Sequence, residues 1–354
     1  MISSIQLKNF RSYTSGSFEF EPGVNIIVGP NASGKTNLLE AILTLCRGGS
    51  YRARDIELIM FNKPWARIDG FFEKQNRSVK LIKDPETDKI DKQFVIDAKS
   101  YKRLGLDKTV AAVLFEPNHL QLIIRGPETR RDYFDDLLAR SQPGFKTLSA
   151  NYKRALTQRN WLLKLGASHG SKQIFVWDVR LSELGENIAK LRQQLVDDIN
   201  KEVAKSYGHI AGSRTKLSLE YQSQFKIESY ASQMLSKLGA SVDRDYQRGF
   251  TAYGPHREDF IFNLASKNAT TTASRGETRS IVLSLKVFEL GLIERVRGQK
   301  PIFLLDDVFS ELDGARRRSL VDFLKKYQTI ITTTDADAVL EYFARGQQKL
   351  ISLK

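Results

Sequence analysis

Eight residues near the N-terminus constrain this chain more than anything else in it: Gly29-Pro30-Asn31-Ala32-Ser33-Gly34-Lys35-Thr36. Two glycines separated by four residues and followed by Lys-Thr form the Walker A pattern, and its chemistry demands a particular context. A strand must end, glycine must supply backbone angles closed to other residues, and a helix must begin so that its free N–H groups and positive end face phosphate. The sequence supplies all three. Val24-Asn25-Ile26-Ile27-Val28 reads as a short buried strand, and from Thr36 onward Leu38, Leu39, Ile42 and Leu45 recur at helical spacing until Gly48-Gly49. Gly29, Pro30, Asn31, Ala32, Ser33, Gly34, Lys35, Thr36 and Asn37 are therefore the expected nucleotide-binding residues. Lys35 is expected to reach the β- and γ-phosphates, and the Thr36 hydroxyl to ligate Mg²⁺.

A loop of this kind needs a carboxylate delivered by a second strand. Pro301-Ile302-Phe303-Leu304-Leu305-Asp306-Asp307 offers four apolar residues followed by two acids, a Walker B arrangement. Alone, such a strand is more often one that ends in a solvated acidic turn. With the phosphate loop upstream, Asp306 is expected to hold Mg²⁺ beside Thr36. Asp307 is expected to polarise the attacking water, making Lys35 and Asp307 the catalytic pair. Thr36 and Asp306 lie 270 positions apart, so a large body of structure must fold between them.

That body reads in parts. Residues 66–115 carry apolar runs at Phe71-Phe72, Val79/Leu81, Phe94-Val95-Ile96 and Val110 to Phe115, separated by turns such as Asp84-Pro85-Glu86, and are expected to form antiparallel hairpins. Between about Pro127 and Tyr207 the periodicity is helical. Its clearest helix, Ser182 to Tyr207, places Leu184, Ile188, Leu191, Leu195, Ile199 and Val203 on one stripe, which suits an amphipathic helix lying on a core better than a projecting helical arm. From Thr215 strands and helices alternate again, ending with the buried strand Ile302–Leu305. The expected fold class is α/β: a P-loop ATPase head with an antiparallel β-subdomain and an inserted α-helical lobe. The expected divisions are 1–118 for the first ATPase lobe, 119–250 for the helical lobe, and 251–354 for the return.

Charge and cysteine narrow the function. Fifty-five Lys and Arg against 41 Asp and Glu leave +14, which points to a polyanionic partner, nucleic acid first. The single cysteine, Cys46, excludes an intramolecular disulfide and fits a reducing compartment. The first residues alternate like a strand instead of showing a basic segment followed by an apolar one, and no apolar run is long enough to span a bilayer. A cytoplasmic, nucleoid-associated protein without membrane contact is expected.

Just before the second acidic strand stands Ser274-Arg275-Gly276-Glu277, opening a helix with Ile281, Leu283, Leu285, Val287-Phe288 and Leu290; just after it comes Ser310-Glu311-Leu312-Asp313. In isolation each is a helix cap. In this order, with the Walker motifs, they resemble the ATP-binding-cassette heads that serve DNA repair and chromosome maintenance. Within that class the chain is similar to the RecF family. The likeness runs nearly end to end, through Leu7-Lys8-Asn9-Phe10-Arg11-Ser12-Tyr13, Gly126-Pro127 with Arg130-Arg131, Tyr152 to Asn160, Gly254-Pro255-His256-Arg257, and Ile331-Thr332-Thr333-Thr334.

The resemblance implies an ATP- and Mg²⁺-dependent DNA-binding protein of recombinational repair. It implies a homodimer, formed head to tail on ATP, in which Ser274, Gly276 and Glu277 of one subunit meet the nucleotide held by Lys35 of the other. It further implies binding to duplex DNA near single-strand gaps, RecO and RecR as partners in loading the recombinase, and a slow, DNA-stimulated ATPase used as a release timer. Thr332-Thr333-Thr334-Asp335 stands where transporter ATPases carry a switch histidine, which agrees with weak turnover. The chain departs from the family at Pro117-Asn118-His119, where Pro-Glu-Asp is common, leaving Glu116 and Gln121 as alternatives for the residue that senses nucleotide.

Two further groups invite function. Lys153, Arg154, Arg159 and Lys164 fall roughly on helical spacing beside Tyr152 and Trp161, and Arg316-Arg317-Arg318 follows the Asp313 loop; a basic surface is expected without assigning particular residues to it. His256 is expected to be structural, since no ligand spacing surrounds it. The alternative reading, an ATPase subunit of a transport or defence system, lacks the switch histidine in the first case and, in the second, an acidic nuclease domain in the residues up to Lys354.

Overall fold

The computed structural model describes residues 1–335, 337–342 and 348–353, and the side chains of all of these but 167–172 and 338. Contacts divide the chain into two compact units, residues 1–120 with 289–354, and residues 121–288. Unit one opens with β1 (Ile2–Phe10), β2 (Tyr13–Glu19), β3 (Val24–Val28), α1 (Lys35–Arg47), α2 (Asp55–Leu58), β4 (Trp65–Phe72), β5 (Gln75–Lys83), β6 (Ile90–Ile96), β7 (Lys99–Tyr101) and β8 (Ala112–Phe115). Unit two holds α3 (Pro127–Ser141), α4 (Phe145–Leu165), α5 (Ala167–Ala211), β9 (Leu217–Gln222), α6 (Tyr230–Ala240), α7 (Val242–Arg248), β10 (Asp259–Leu264), β11 (Lys267–Asn268), α8 (Ala269–Thr272) and most of α9 (Arg275–Arg297). Unit one resumes with β12 (Ile302–Asp306), α10 (Gly314–Leu324), β13 (Thr329–Thr333), α11 (Asp337–Leu340) and β14 (Gln348–Ser352).

Unit one contains two sheets. Strands β2-β1-β4-β5-β6-β7 form an antiparallel meander whose residues alternate between buried and exposed, as in β4, so that one face is apolar. Strands β14-β3-β13-β12-β8 form an all-parallel sheet, and β8, β12 and β13 are buried throughout. Burial on both faces explains why these strands read as continuous apolar runs. Helix α1 touches strands of both sheets, and ten of its thirteen residues are buried, so it is apolar nearly all round. Its approach to the antiparallel sheet is close enough that a methyl at Gly70 would stand 2.0 Å from Leu45, which fixes glycine there.

Three expectations are corrected. Val110 to Phe115 does not join the hairpins: β8 is an edge strand of the parallel sheet, paired to β12 from Ala112 to Phe115, because its four side chains are all buried. Ile302–Leu305 is not the last strand, since β13 and β14 follow and flank β3. The return to unit one lies near 289 instead of 251, because β10 pairs with β9 across Asp259–Leu264 and draws the Gly-Pro-His-Arg turn and the start of α9 into unit two. The stripe over Ser182–Tyr207 is the later part of the 45-residue α5, which packs on α4, α6 and β9, as an amphipathic helix on a core should.

Unit two is organised around buried ion pairs. Arg159 is fully buried; its Nε donates to Asp178 at 2.5 Å and its Nη1 to Asp245 at 2.8 Å and the Thr251 hydroxyl at 2.9 Å. Asn160 Oδ1 accepts from the Thr251 N–H and hydroxyl at 2.9 and 2.7 Å. Tyr152 lies 2.7 Å from His256 Nδ1, and His256 Nε2 lies 3.1 Å from the Thr251 carbonyl. Because a carbonyl only accepts, Nε2 carries the proton and Nδ1 accepts from Tyr152. Gly254, at φ 124°, leaves room for this pair: a methyl there would stand 2.5 Å from the Tyr152 hydroxyl. Arg192 clamps Asp135 through two bonds of 2.9 Å and donates to the Pro255 carbonyl at 2.7 Å. Burial, aided by the charges of Arg257, Arg131 and Arg192, pushes His256 down to about 4 against a weaker upward pull from the Thr251 carbonyl.

Replacing Arg159 by Met should cost about 3–5 kcal/mol in denaturant unfolding, since two buried carboxylates lose their cation, and Arg159→Lys should recover only part of it. Histidine 256 gives a pH signature. The unfolded chain protonates it below 6.5 whereas the folded chain stays neutral to about 4, so its contribution is whole above pH 6.5 and is lost as pH falls toward 4. The wild type should lose about 2–3 kcal/mol across that window, and His256→Gln should flatten this part of the profile.

Candidate functional site

The parallel sheet assembles the site. Strand β3 pairs with β13 and β13 with β12, so the C-terminal ends of β3 and β12 lie one strand apart, with Asp306 opposite Thr332. Beyond β3 the chain turns through residues 29–34. Gly34 sits at φ 99°, and a methyl there would stand 2.8 Å from the Tyr13 hydroxyl, which itself donates to the Gly34 carbonyl at 3.1 Å. Gly29 is fixed by space: a methyl would meet Ser33 Oγ at 2.6 Å and the Leu353 carbonyl at 2.9 Å. Helix α1 then begins at Lys35, presenting its free N–H groups to the loop.

The predicted residues of the two Walker motifs converge. Thr36 Oγ1 donates to Asp306 Oδ1 at 2.9 Å, the Thr332 hydroxyl donates to the same oxygen at 2.8 Å, and Tyr51 reaches Asp306 Oδ2 at 3.5 Å. Lys35, buried, donates from Nζ to the Gly29 and Pro30 carbonyls at 2.7 and 2.8 Å. Asn31, Ala32, Gly34 to Asn37, Arg52, Asp306 and Asp307 line a cavity of about 270 Å³. Asp307 adopts the left-handed conformation at φ 50°, its N–H donating to the Thr332 hydroxyl at 3.0 Å, which sets its side chain apart from that of Asp306. Burial, and secondarily the neighbouring Asp306 charge, push the Asp307 carboxyl up, against Ser310 and Lys35, which pull it down. A carboxylate raised in this way is a better proton acceptor than an ordinary one.

Sequence reasoning missed the layer beneath this. Glu40 is completely buried on α1. It takes two bonds from Arg11, at 2.8 and 2.9 Å, one from Arg52 at 3.0 Å and one from Ser50 at 2.5 Å. Burial alone would raise its pKa, but the bonds from Arg11, Arg52 and Ser50 outweigh it and hold the carboxyl below the ordinary range. Arg52, gripped by Glu40 and donating to Asn37 Oδ1 at 2.7 Å, is thereby aimed at the cavity. The available signal was Glu40 itself, an acid inside the apolar run Leu38-Leu39-Glu40-Ala41-Ile42-Leu43.

Other predicted residues fall elsewhere. Ser274, Gly276 and Glu277 belong to unit two, where the Ser274 N–H donates to Glu277 at 2.8 Å and the Glu277 N–H to Ser274 Oγ at 3.3 Å, a reciprocal capping box at the start of α9. Asp313 caps α10. Arg316 is spent on Asp313 and Arg317 on the Phe309 carbonyl, leaving Arg318 exposed in that cluster. Arg159 cannot contribute to a basic surface, because it is inside. At the departure Pro117-Asn118-His119, His119 Nδ1 accepts the Glu116 N–H at 3.0 Å. The Tyr51 phenol is pushed up first by burial and then by the charge of Asp306.

The model of the RecF/RecN/SMC N-terminal domain matches residues 1–352. The chain is 34% identical over 352 residues to the DNA replication and repair protein RecF of Halalkalibacterium halodurans, covering 96% of this chain and 94% of that one. It is 36% identical to RecF of Streptococcus equi subsp. zooepidemicus, over 95% and 92% of the two chains. The chain belongs to the RecF family. Among solved structures it matches the recombination mediator protein RecF–ATPrS of the RecFOR pathway with a TM-score of 0.86 at 29% identity, covering 96% and 94%, and RecF–ATP of that pathway at 0.84. An Smc head bound to a winged-helix domain of ScpA matches at 0.52 and 15% identity, which speaks for the fold alone. The head fold is thus that of the SMC/RecF ATPases. Among the described residues no helix is long and apolar enough to cross a membrane.

Removing the buried acid tests the support of the cavity. In Glu40→Ala, two arginines lose a buried partner, so stability should fall by about 3 kcal/mol. With Arg52 released, the rise in melting temperature produced by nucleotide should also shrink relative to the wild type. An undiminished nucleotide-dependent shift would show that Glu40 does not place Arg52.

Proposed function

We propose that this protein is an ATP-dependent DNA-binding protein of recombinational repair, in which a nucleotide-driven homodimer binds duplex DNA near single-strand gaps. In this reading it acts with RecO and RecR in recombinase loading, and hydrolysis is slow. The observation that carries the nucleotide half of the proposal is the convergence of Lys35, Thr36, Asp306 and Asp307 on one cavity, with Thr36 and Asp306 2.9 Å apart. Support for the DNA half comes from family membership and the net charge of +14.

The residues fit Mg²⁺. A hydroxyl and a carboxylate are hard oxygen donors, and Mg²⁺ is commonly held by one or two carboxylates with substrate phosphates completing its shell. No cluster of three or more His, Cys, Asp or Glu occurs among the described residues, so a cage made wholly of carboxylates and imidazoles is not offered instead. Thr36 and Asp306 would hold the ion, which supplies charge neutralisation at the phosphates. Lys35 binds the β- and γ-phosphates, the start of α1 cradles them, and Arg52 adds a second cation on the loop side. Asp307 accepts the proton of the attacking water. Ser274, Gly276 and Glu277 complete the site from a second subunit, which makes dimerisation depend on ATP. Hydrolysis then dissolves the shared contact and releases the DNA.

The test follows oligomer mass and binding of labelled duplex DNA together, at several salt concentrations, with and without ATP-Mg²⁺. Salt-sensitive DNA binding that accompanies ATP-dependent dimerisation is expected. Asp307→Asn should slow hydrolysis by about 10²-fold or more while preserving the dimer. Ser274→Arg should bind ATP and remain monomeric; an unaltered monomer–dimer balance in that variant would refute the shared site.

A further inference from the structure

The positive charge of this chain is not evenly spread. Residues 137–177 contain seven Lys or Arg and no Asp or Glu, in a chain that otherwise carries acids throughout. Of the seven, Arg159 is buried against Asp178 and Asp245, and Arg140 is paired with Asp136. Lys153 and Arg154 on α4 are exposed and have no ion pair among the described residues, and the acid that feels Lys153, Asp132, lies on α3. The two cations stand at a groove of about 450 Å³ formed with Thr157, Gln158 and, from α5, Trp177. Trp177 is half-buried, whereas the next turn of α4 leaves Trp161 55% exposed. Just before Trp177 on α5, Phe175 and Val176 are 62% and 64% exposed.

This combination fits one chemistry. A groove of this size admits a flat ring against the Trp177 indole but not a duplex. The Gln158 amide can both donate to and accept from a base edge, and two cations at the rim suit the flanking phosphates. Phosphate contacts explain a basic surface, and exposed aromatic rings add stacking, which is available only from unpaired bases. A protein partner would need acidic groups to match the rim and would leave the Gln158 amide without a specific role, whereas the Thr157 hydroxyl is already spent on the Lys153 carbonyl at 2.9 Å.

We propose that the groove between α4 and α5 binds unpaired nucleotides, with a base on Trp177, its edge at Gln158, the neighbouring phosphates on Lys153 and Arg154, and the following base on Trp161. The proposal rests on the DNA-binding reading and deepens it: the same protein would hold duplex through its dimer and the single strand of a gap here.

The full chain is titrated with a fluorescein-labelled oligo-dT of about twelve nucleotides, with the same strand carrying abasic sites, and, with ATP-Mg²⁺, with duplex. The dT strand should bind without ATP, and the abasic strand about tenfold more weakly, since it keeps the phosphates and lacks the rings. The double variant Lys153→Gln/Arg154→Gln should weaken dT binding and reduce the slope of log affinity against log salt by about 1.4, with duplex affinity unchanged. Equal affinity for dT and abasic strands would overturn the proposal, as would a double variant that binds dT like the wild type. Duplex binding without dT binding would also overturn it, hand the apolar rim to a protein partner, and leave the proposed function standing. Binding of dT without duplex would do the reverse.

Discussion

The hydrogen bond from Thr36 to Asp306 is short in space and 270 residues long in sequence, and the nucleotide site depends on it. It exists because β3, β13 and β12 are parallel neighbours in fixed register, which brings the end of one strand and the end of another to the same edge of the sheet. A one-residue slip of β12 against β13 would turn Asp306 to the opposite face and remove the carboxylate from the hydroxyl. The register is guarded by burial on both sides and by the Thr332 side chain, which ties β13 to Asp306 and to the backbone of Asp307.

Much of the site was legible in the sequence. The glycine spacing, the strand before it and the helix after it are short-range signals, and each corresponds to a named backbone need. The paired acids after Leu305 were legible for the same reason. What the sequence hid was pairing across long separations. Val110 to Phe115 has the composition of any buried strand, and nothing local says that its partner is β12 instead of a hairpin neighbour. Glu40 and Arg52 escaped because a buried acid on an apolar helix is meaningful only once Arg11, from the turn after β1, is seen beside it. The acid-free stretch 137–177 can be read in the sequence, but which of its cations stay exposed cannot, because that depends on the face each takes on a packed helix.

The motifs at Tyr152–Asn160 and Gly254–Arg257 show how misleading residue type can be without burial. Arg159 and His256 are what a search for phosphate contacts or acid–base chemistry would select, yet the first is enclosed between two aspartates and the second, half-buried, is held between a phenol and a carbonyl. Their neighbours Lys153, Arg154 and Arg257 are exposed. Helical spacing separates the two roles: Tyr152, Ala155 and Arg159 share the inward face, and Lys153, Arg154, Thr157 and Gln158 the outward one.

The order of the strands also sets a timetable. Unit two is one continuous stretch, residues 121–288, and can close on itself while the ribosome is still at work. Strand β3 cannot, because both of its neighbours, β13 and β14, are made some 300 residues later, and even the backbone of Ile2 waits for the Gln328 side chain, 326 residues on. At about 5–20 residues per second, the phosphate loop is out of the ribosome for tens of seconds before its sheet exists. For that interval an apolar strand has two bare edges, so a newborn chain is most exposed to misassembly at the very segment that later grips the nucleotide.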